Sequence, residues 1–330
     1  MEGTKMRMDI FKKCLAVSII FFVFFSASSV IGADKFPSRN IEYVVGWGAG
    51  GGSDTFGRII CIPVRRQLKT SLSVVNMPGA ASAIAMEYVQ KQPADGYTLL
   101  GLTSELVSNQ LQGRTKYTHR DFTPVIRAHV DIGMIQGGPK SPFKNWAELV
   151  AFAKKGERKI RLGGTGAASF DQIASMIILD SAGIADRVTY IPFDSAGEMH
   201  AQILGGHLDA MYEEPGVTLN LIEAGKMIPL IVFLKDRLEK FPNVPSAGEL
   251  GYELPPMMWR GIVVKKGTPQ PVVDALEAAF TKAMKSTMYK AFEKERMLDM
   301  FPGYMGSKDF AADLEREYGL YSNVLKKIGQ

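Results

Sequence analysis

The chain has 330 residues, 46% hydrophobic and 22% charged, ordinary globular proportions with enough apolar material for two domain-sized cores. Lysine plus arginine (39) exceed aspartate plus glutamate (34) by only five, and no basic run is interleaved with aromatics. A nucleic-acid partner is therefore disfavoured, because neutralising phosphates needs a concentrated positive face.

At the start, Lys5, Arg7, Lys12 and Lys13 precede an apolar run from Cys14 to Phe25, and small residues lead on to Ala33. This charged, apolar, small-residue order reads as a secretory signal over residues 1–33, cleaved near Ala33. The rival reading, a retained membrane anchor, needs about 20 apolar residues, and this run is shorter. Cys14 opens the apolar run instead of closing it, so it is not placed as a lipoprotein cysteine. After cleavage Cys61 is the one cysteine left, too few for a disulfide framework or a zinc knuckle. The mature chain is expected in the periplasm, where ATP and nicotinamides are not supplied.

Apolar runs and amphipathic stretches then alternate. Residues 41–45 predict a strand, 54–68 a helix kinked or ended at Pro63, 72–75 a strand, 81–90 a helix and 97–102 a strand. The rhythm repeats with a helix over 146–154, a strand over 160–162, a helix over 171–181 and a strand over 188–191. Ser195 and Glu198 have capping-box spacing for a helix ending near Gly205, followed by a strand over 208–212, a helix over 219–224 and a strand over 228–234. Residues 259–264 predict another strand, Thr268-Pro269 an N-cap and first-turn proline, and Phe310, Leu314, Tyr318 and Tyr321 one face of a last helix. Such alternation predicts two α/β layers, hence two lobes with a cleft at the carboxyl ends of their strands.

Two loops carry the chemistry. Gly46, Gly48 and Gly51 satisfy G-x-G-x-x-G between a strand and a helix. A dinucleotide site also needs an acidic residue roughly twenty positions on, and Val74-Val75-Asn76-Met77 offers none. No cofactor is expected. Clustered glycines nevertheless bring backbone N–H groups close to a ligand, and a helix start adds about half a positive charge, which together suit an anion. The plainer alternative is a tight strand–helix connection in which Ser53 or Asp54 only caps the helix. Gly163 to Asp171 forms a second loop of the same kind, and two such helix starts facing one cleft would suit a carboxylate ligand.

From residue 36 to 329 the chain resembles the extracytoplasmic solute-binding proteins of tripartite tricarboxylate transporters, the Bug family. The resemblance rests on Gly50-Gly51-Gly52-Ser53-Asp54, Asn76-Met77-Pro78-Gly79-Ala80, Asp95-Gly96-Tyr97-Thr98-Leu99-Leu100, Asp121-Phe122-Thr123-Pro124-Val125, Leu204-Gly205-Gly206-His207-Leu208-Asp209-Ala210, Asn243-Val244-Pro245-Ser246 and Trp259-Arg260-Gly261. It implies a two-lobed type II periplasmic-binding-protein fold of the α/β class, with residues 34–128 plus 255–330 in one lobe and 129–254 in the other. It further implies a central cleft closing on a small carboxylate, delivery to integral-membrane permease subunits, and a monomer. By the same resemblance, the loops holding Ala49, Gly50, Gly51, Ser53 and Asp54, and Thr165, Ala167, Ala168 and Ser169, grip a carboxylate through backbone amides and water. Thr103 and Ser104 then face the cleft, and Pro78, Gly79 and Ala80 line its wall.

The chain departs from the family pattern at Phe170-Asp171-Gln172, at Phe193-Asp194-Ser195 and at Glu213-Glu214-Pro215. Asp171, Asp194, Glu213 and Glu214 are open to two readings: an acidic cleft wall suited to a ligand that also carries an amine, or helix caps and solvated loop charges. Trp47 and Phe170 are open to stacking on a ligand or to core packing. His119, His129, His200 and His207 lack metal-ligand spacing and read as surface or loop residues, and no nucleophile elbow occurs, so neither a metal nor catalysis is expected. Besides a transport receptor, the alternatives are a ligand-sensing partner of a sensor kinase and an exported enzyme on the same scaffold.

Overall fold

From Ile41 onward, strands and helices alternate in the computed structural model, which describes residues 36–327; the expected signal segment lies outside the described residues. In chain order come β1 (Ile41–Val45), α1 (Gly52–Leu68), β2 (Leu72–Asn76), α2 (Ala83–Lys91), β3 (Thr98–Leu102), α3 (Glu105–Leu111) and β4 (Phe122–Asp131). The chain continues through β5 (Met134–Gly137), α4 (Trp146–Lys155), β6 (Ile160–Thr165), α5 (Phe170–Ser181), β7 (Val188–Phe193), α6 (Ala196–Gly205), β8 (Ala210–Glu213), α7 (Pro215–Glu223) and β9 (Ile228–Val232). It closes with β10 (Met258–Lys265), α8 (Gln270–Met284), α9 (Thr287–Glu295), β11 (Met305–Gly306) and α10 (Ser307–Lys327).

The strands form two sheets, ordered β11-β4-β10-β3-β1-β2 and β7-β6-β8-β5-β9. β1 pairs in parallel with β2 and β3, and β6 with β7 and β8, while β10 and β5 run antiparallel to both their neighbours. Each sheet thus repeats one five-strand plan, the first parallel strand between the second and third, then an antiparallel strand and one more, with β11 added at the edge of the first sheet. The chain leaves the first sheet between β4 and β5 and returns between β9 and β10, so two crossovers join the lobes. This is the expected two-lobed α/β architecture.

Local sequence explains the central strands. β1 is paired on both edges and covered on both faces, and Ile41, Tyr43, Val44 and Val45 are fully buried. Gly101 on the neighbouring β3 leaves room for the Tyr43 ring, since a β-carbon there would fall 2.3 Å from its hydroxyl oxygen.

Four departures from the sequence reading have local causes. α1 runs unbroken through Pro63, because the buried face of Phe56, Ile60, Cys61 and Val64 outweighs a proline cost of about 3 kcal/mol. Ser195 makes no capping box: its hydroxyl donates to the Ala49 carbonyl at 3.1 Å in the other lobe. Pro269, not Thr268, stands at the N-cap of α8, and the Thr268 hydroxyl donates to the Lys265 carbonyl at 2.7 Å. β4 escapes a pattern-based reading because Arg127, His129 and Asp131 interrupt its apolar run, yet each is buried against a polar partner: Arg127 bonds Asp313 at 2.5 Å, His129 bonds the Tyr289 hydroxyl at 3.0 Å and Asp131 bonds Arg260.

Candidate functional site

The glycine loop between β1 and α1 is built from behind. Asp54 Oδ2 accepts from the Gly50 N–H at 3.2 Å, and its Oδ1 accepts from Arg58 and from Asn76, both at 2.9 Å. Asn76 also donates to the Trp47 carbonyl at 2.9 Å. Burial alone would raise the Asp54 carboxyl, but the bonds from Arg58, Asn76 and Gly50 outweigh it and hold it below its ordinary value. Beneath the loop, Ala80, Ala81 and Ser82 all take left-handed backbone, and the Ser82 hydroxyl donates to the Gly46 carbonyl at 3.0 Å. Three consecutive left-handed residues other than glycine are costly, and they persist here because packing against the loop holds them.

The braced loop leaves its helix start open. Gly51 is the N-cap of α1 with no side-chain cap, and the N–H groups of Gly52, Ser53 and Asp54 find no acceptor among the described residues. The start of α5 is partly occupied. Its Phe170 N–H donates to Glu105 Oε1 of the other lobe at 3.0 Å, and its Gln172 N–H reaches the Ser169 hydroxyl at 3.5 Å. The Thr165 N–H and hydroxyl both donate to Asp171 Oδ2, at 2.8 and 2.7 Å.

Between the lobes lies a cavity of about 30 Å³, room for a water-sized occupant. Gly48, Gly51, Gly52 and Ser53 of the first loop line it together with Trp47, Thr103, Glu105, Met258 and Arg260; Thr165, Asp171, Ala196, Glu213 and Glu214 come from the second lobe. The lobes meet around it, with the Gly48 N–H donating to the Asp194 carbonyl at 3.0 Å and Gln112 to the Ala168 carbonyl at 2.9 Å. A multi-atom ligand therefore enters only when the lobes part.

The lining is charged. Arg260 is buried between Asp131 and Glu214, with the Glu214 contact at 3.1 Å. Burial pushes the Asp171 carboxyl up to about 8 against its Thr165 bonds, and the charges of Glu105 and Glu213 add to the rise. Burial also drives Glu214 well above the ordinary carboxylate range; Arg260 opposes this, while Glu213 and Asp131 reinforce it. Burial acts the same way on Glu213, but His200, 2.7 Å away, outweighs it and holds that carboxyl low.

Of the residues picked out in the sequence, Trp47, Gly51, Ser53, Thr103, Thr165, Asp171, Glu213 and Glu214 line this cavity. Asp54 sits behind the loop as its brace, and Ala49 and Gly50 are exposed beside it. Pro78 and Ala80 are exposed on the supporting turn, with Gly79 between them, and Ser104 is buried at the N-cap of α3 without lining the cavity. Ala167 is exposed, the Ala168 carbonyl accepts from Gln112 and Arg114 across the lobes, and Ser169 caps α5. Asp194 meets Gly48 through its carbonyl while its side chain is exposed. Phe170 is core, edge-on to Tyr212 at 6.2 Å, and does not line the cavity. His119 and His129 are buried instead of on the surface, and no metal-holding cluster occurs among the described residues. Glu105 and Arg260 escaped the sequence reading; the only trace of either was Arg260 within Trp259-Arg260-Gly261.

Residues 57–329 match the family described as the tripartite tricarboxylate transporter family receptor. The chain belongs to this receptor family. A UPF0065 protein of Cupriavidus necator is 29% identical over 301 residues, covering 90% of each chain. The structure of the periplasmic binding protein BugD superposes with a TM-score of 0.81 at 23% identity, covering 89% of this chain and 99% of that one. An R. palustris protein solved with adipate gives a TM-score of 0.81 at 26% identity, covering 89% and 98%. The receptor is thus a two-domain periplasmic-binding fold whose family binds solutes for a membrane transporter and does not catalyse.

Proposed function

We propose that the receptor captures a small organic carboxylate in the periplasm and presents the closed complex to the permease subunits of a tripartite transporter. The observation that carries this reading is the uncapped start of α1, whose first-turn N–H groups have no acceptor among the described residues while Gly51, Gly52 and Ser53 line the interlobe cavity. Fixed amide dipoles at a helix start attract a carboxylate without a cationic side chain, and closure removes the water that would screen them. The adipate held by the R. palustris relative is an acid of the same class. Gly51, Ser53, Trp47 and Thr103 are the contacts this reading assigns to the first lobe, and Thr165 and Glu213 to the second.

Titration of the purified receptor with small carboxylates, adipate included, tests the proposal by calorimetry and thermal shift. A 1:1 complex that raises the melting temperature is the expected result. In Gly51→Val the added side chain starts 3.0 Å from the Ala196 β-carbon at the cavity edge, so binding should vanish with the fold retained. Silence across the carboxylate panel, or unchanged affinity in Gly51→Val, would remove α1 from the site.

A further inference from the structure

The charge of the cavity is unbalanced. Glu105, Asp171, Glu213 and Glu214 line it, facing Arg260. Arg260 is already committed to Asp131 and Glu214, and Glu213 pairs with His200. Glu105 and Asp171 have no ion pair among the described residues, although their exposures are only 1% and 5%. Asp171 spends Oδ2 on the two donors of Thr165, while its Oδ1 takes no hydrogen bond from any described residue. A carboxyl oxygen without a donor, on a side chain that lines the cavity, is open to a donor supplied by whatever occupies that cavity.

The anion donors are just as lopsided. At α1 the first-turn N–H groups are open, whereas at α5 the Phe170 N–H is already taken by the receptor's own Glu105 carboxylate. An acid group of the ligand at α5 would meet the Glu105 carboxylate already seated there, whereas no carboxylate accepts from the first-turn N–H groups of α1 among the described residues.

We infer that the ligand carries a single carboxylate, seated at the start of α1, and a cationic amine that lies between Glu105 and Asp171, which makes these two side chains the determinants that reject a second carboxylate. The inference rests on the carboxylate reading above and narrows it to the amino-acid class. An ammonium supplies donors for the unpaired Asp171 oxygen and faces the Glu105 carboxylate, and its charge favours loss of the proton that burial otherwise keeps on Asp171. A second carboxylate in the same place meets like charges inside an enclosed site, where repulsion is strong.

The test compares three probe series of matched chain length, from three to six carbons: amino acids with one carboxylate and one amine, dicarboxylates, and simple monocarboxylates. Calorimetry on the receptor should give at least one amino acid an affinity about tenfold or more above its matched dicarboxylate and monocarboxylate. Asp171→Asn should lower that preference about tenfold, with Glu105→Gln as the second variant should Asp171→Asn fail to fold. Tighter binding of dicarboxylates by the native receptor, or a preference unchanged in a folded variant, overturns the amine assignment and leaves the carboxylate reading standing. No binding by any series overturns both.

Discussion

The Gly48 N–H and the Asp194 carbonyl, one from each lobe, are joined at 3.0 Å across the cleft. A β-carbon on Gly48 would sit 2.7 Å from the Ser195 β-carbon and 3.0 Å from the Asp194 carbonyl oxygen, inside any tolerable contact. Gly48→Ala therefore leaves each lobe intact and obstructs their approach. Ligand affinity should fall about tenfold or more, since a ligand that favours the closed state binds in proportion to its population. Small-angle scattering with saturating ligand should show less compaction than in the native receptor, and equal compaction would refute the steric reading.

Asp54 tests whether the glycine loop needs its brace. Asp54→Ala removes the acceptor of the Gly50, Asn76 and Arg58 bonds. The loss should cost about 1–2 kcal/mol of stability in urea. Affinity should weaken, with selectivity among ligands unchanged, because Asp54 does not line the cavity. A change in ligand preference would place the carboxylate in contact with the solute after all.

Arg260 holds two buried carboxylates, Asp131 and Glu214. Arg260→Met leaves both without their guanidinium, a change that typically costs about 3–5 kcal/mol. Adding Asp131→Asn to Arg260→Met should restore part of the loss, because Asp131, which burial alone would raise but Arg260 holds below its ordinary value, is the charge left stranded. Denaturation midpoints of the two variants decide this directly.

Stability should also depend on pH above the ordinary carboxylate range. Burial raises Asp171 to about 8 and Glu317 to about 7, so the folded chain holds these protons where the unfolded chain has released them. The penalty is absent well below pH 4, grows as pH rises past the unfolded values, and is complete above the folded ones. The ligand-free receptor should therefore lose stability between pH 5 and 8 through these groups. Asp171→Asn should gain on the native protein as pH rises through that interval; a constant difference between the two would show that Asp171 ionises normally.

The strand–glycine–helix junction at Val45 to Gly52 was legible in the sequence because its geometry is local: glycines and a helix start within a few residues dictate where the amides lie. At Ala167 to Ser169 the sequence predicts a ligand-gripping loop, and the structure adds interlobe bonds to the Ala168 carbonyl from Gln112 and Arg114 that no local pattern announces, with Glu105 on the adjoining Phe170 N–H. Their donors and acceptors lie more than fifty positions away, beyond the reach of any local pattern.

Local pattern sufficed for the alternating layers, the two-lobed plan and the glycines at the start of α1, since periodicity and glycine placement act between near neighbours, whereas the absence of a cap from Ser53 or Asp54 emerged only on folding. The character of the cleft comes from long-range packing. Arg260 meets Ser53 across 207 positions, and Asp171, Glu105 and Glu214 converge from separate segments of both lobes. Burial then turns these charges into a cavity lining whose protonation and pairing depend on one another, and burial exists only once the sheets have packed.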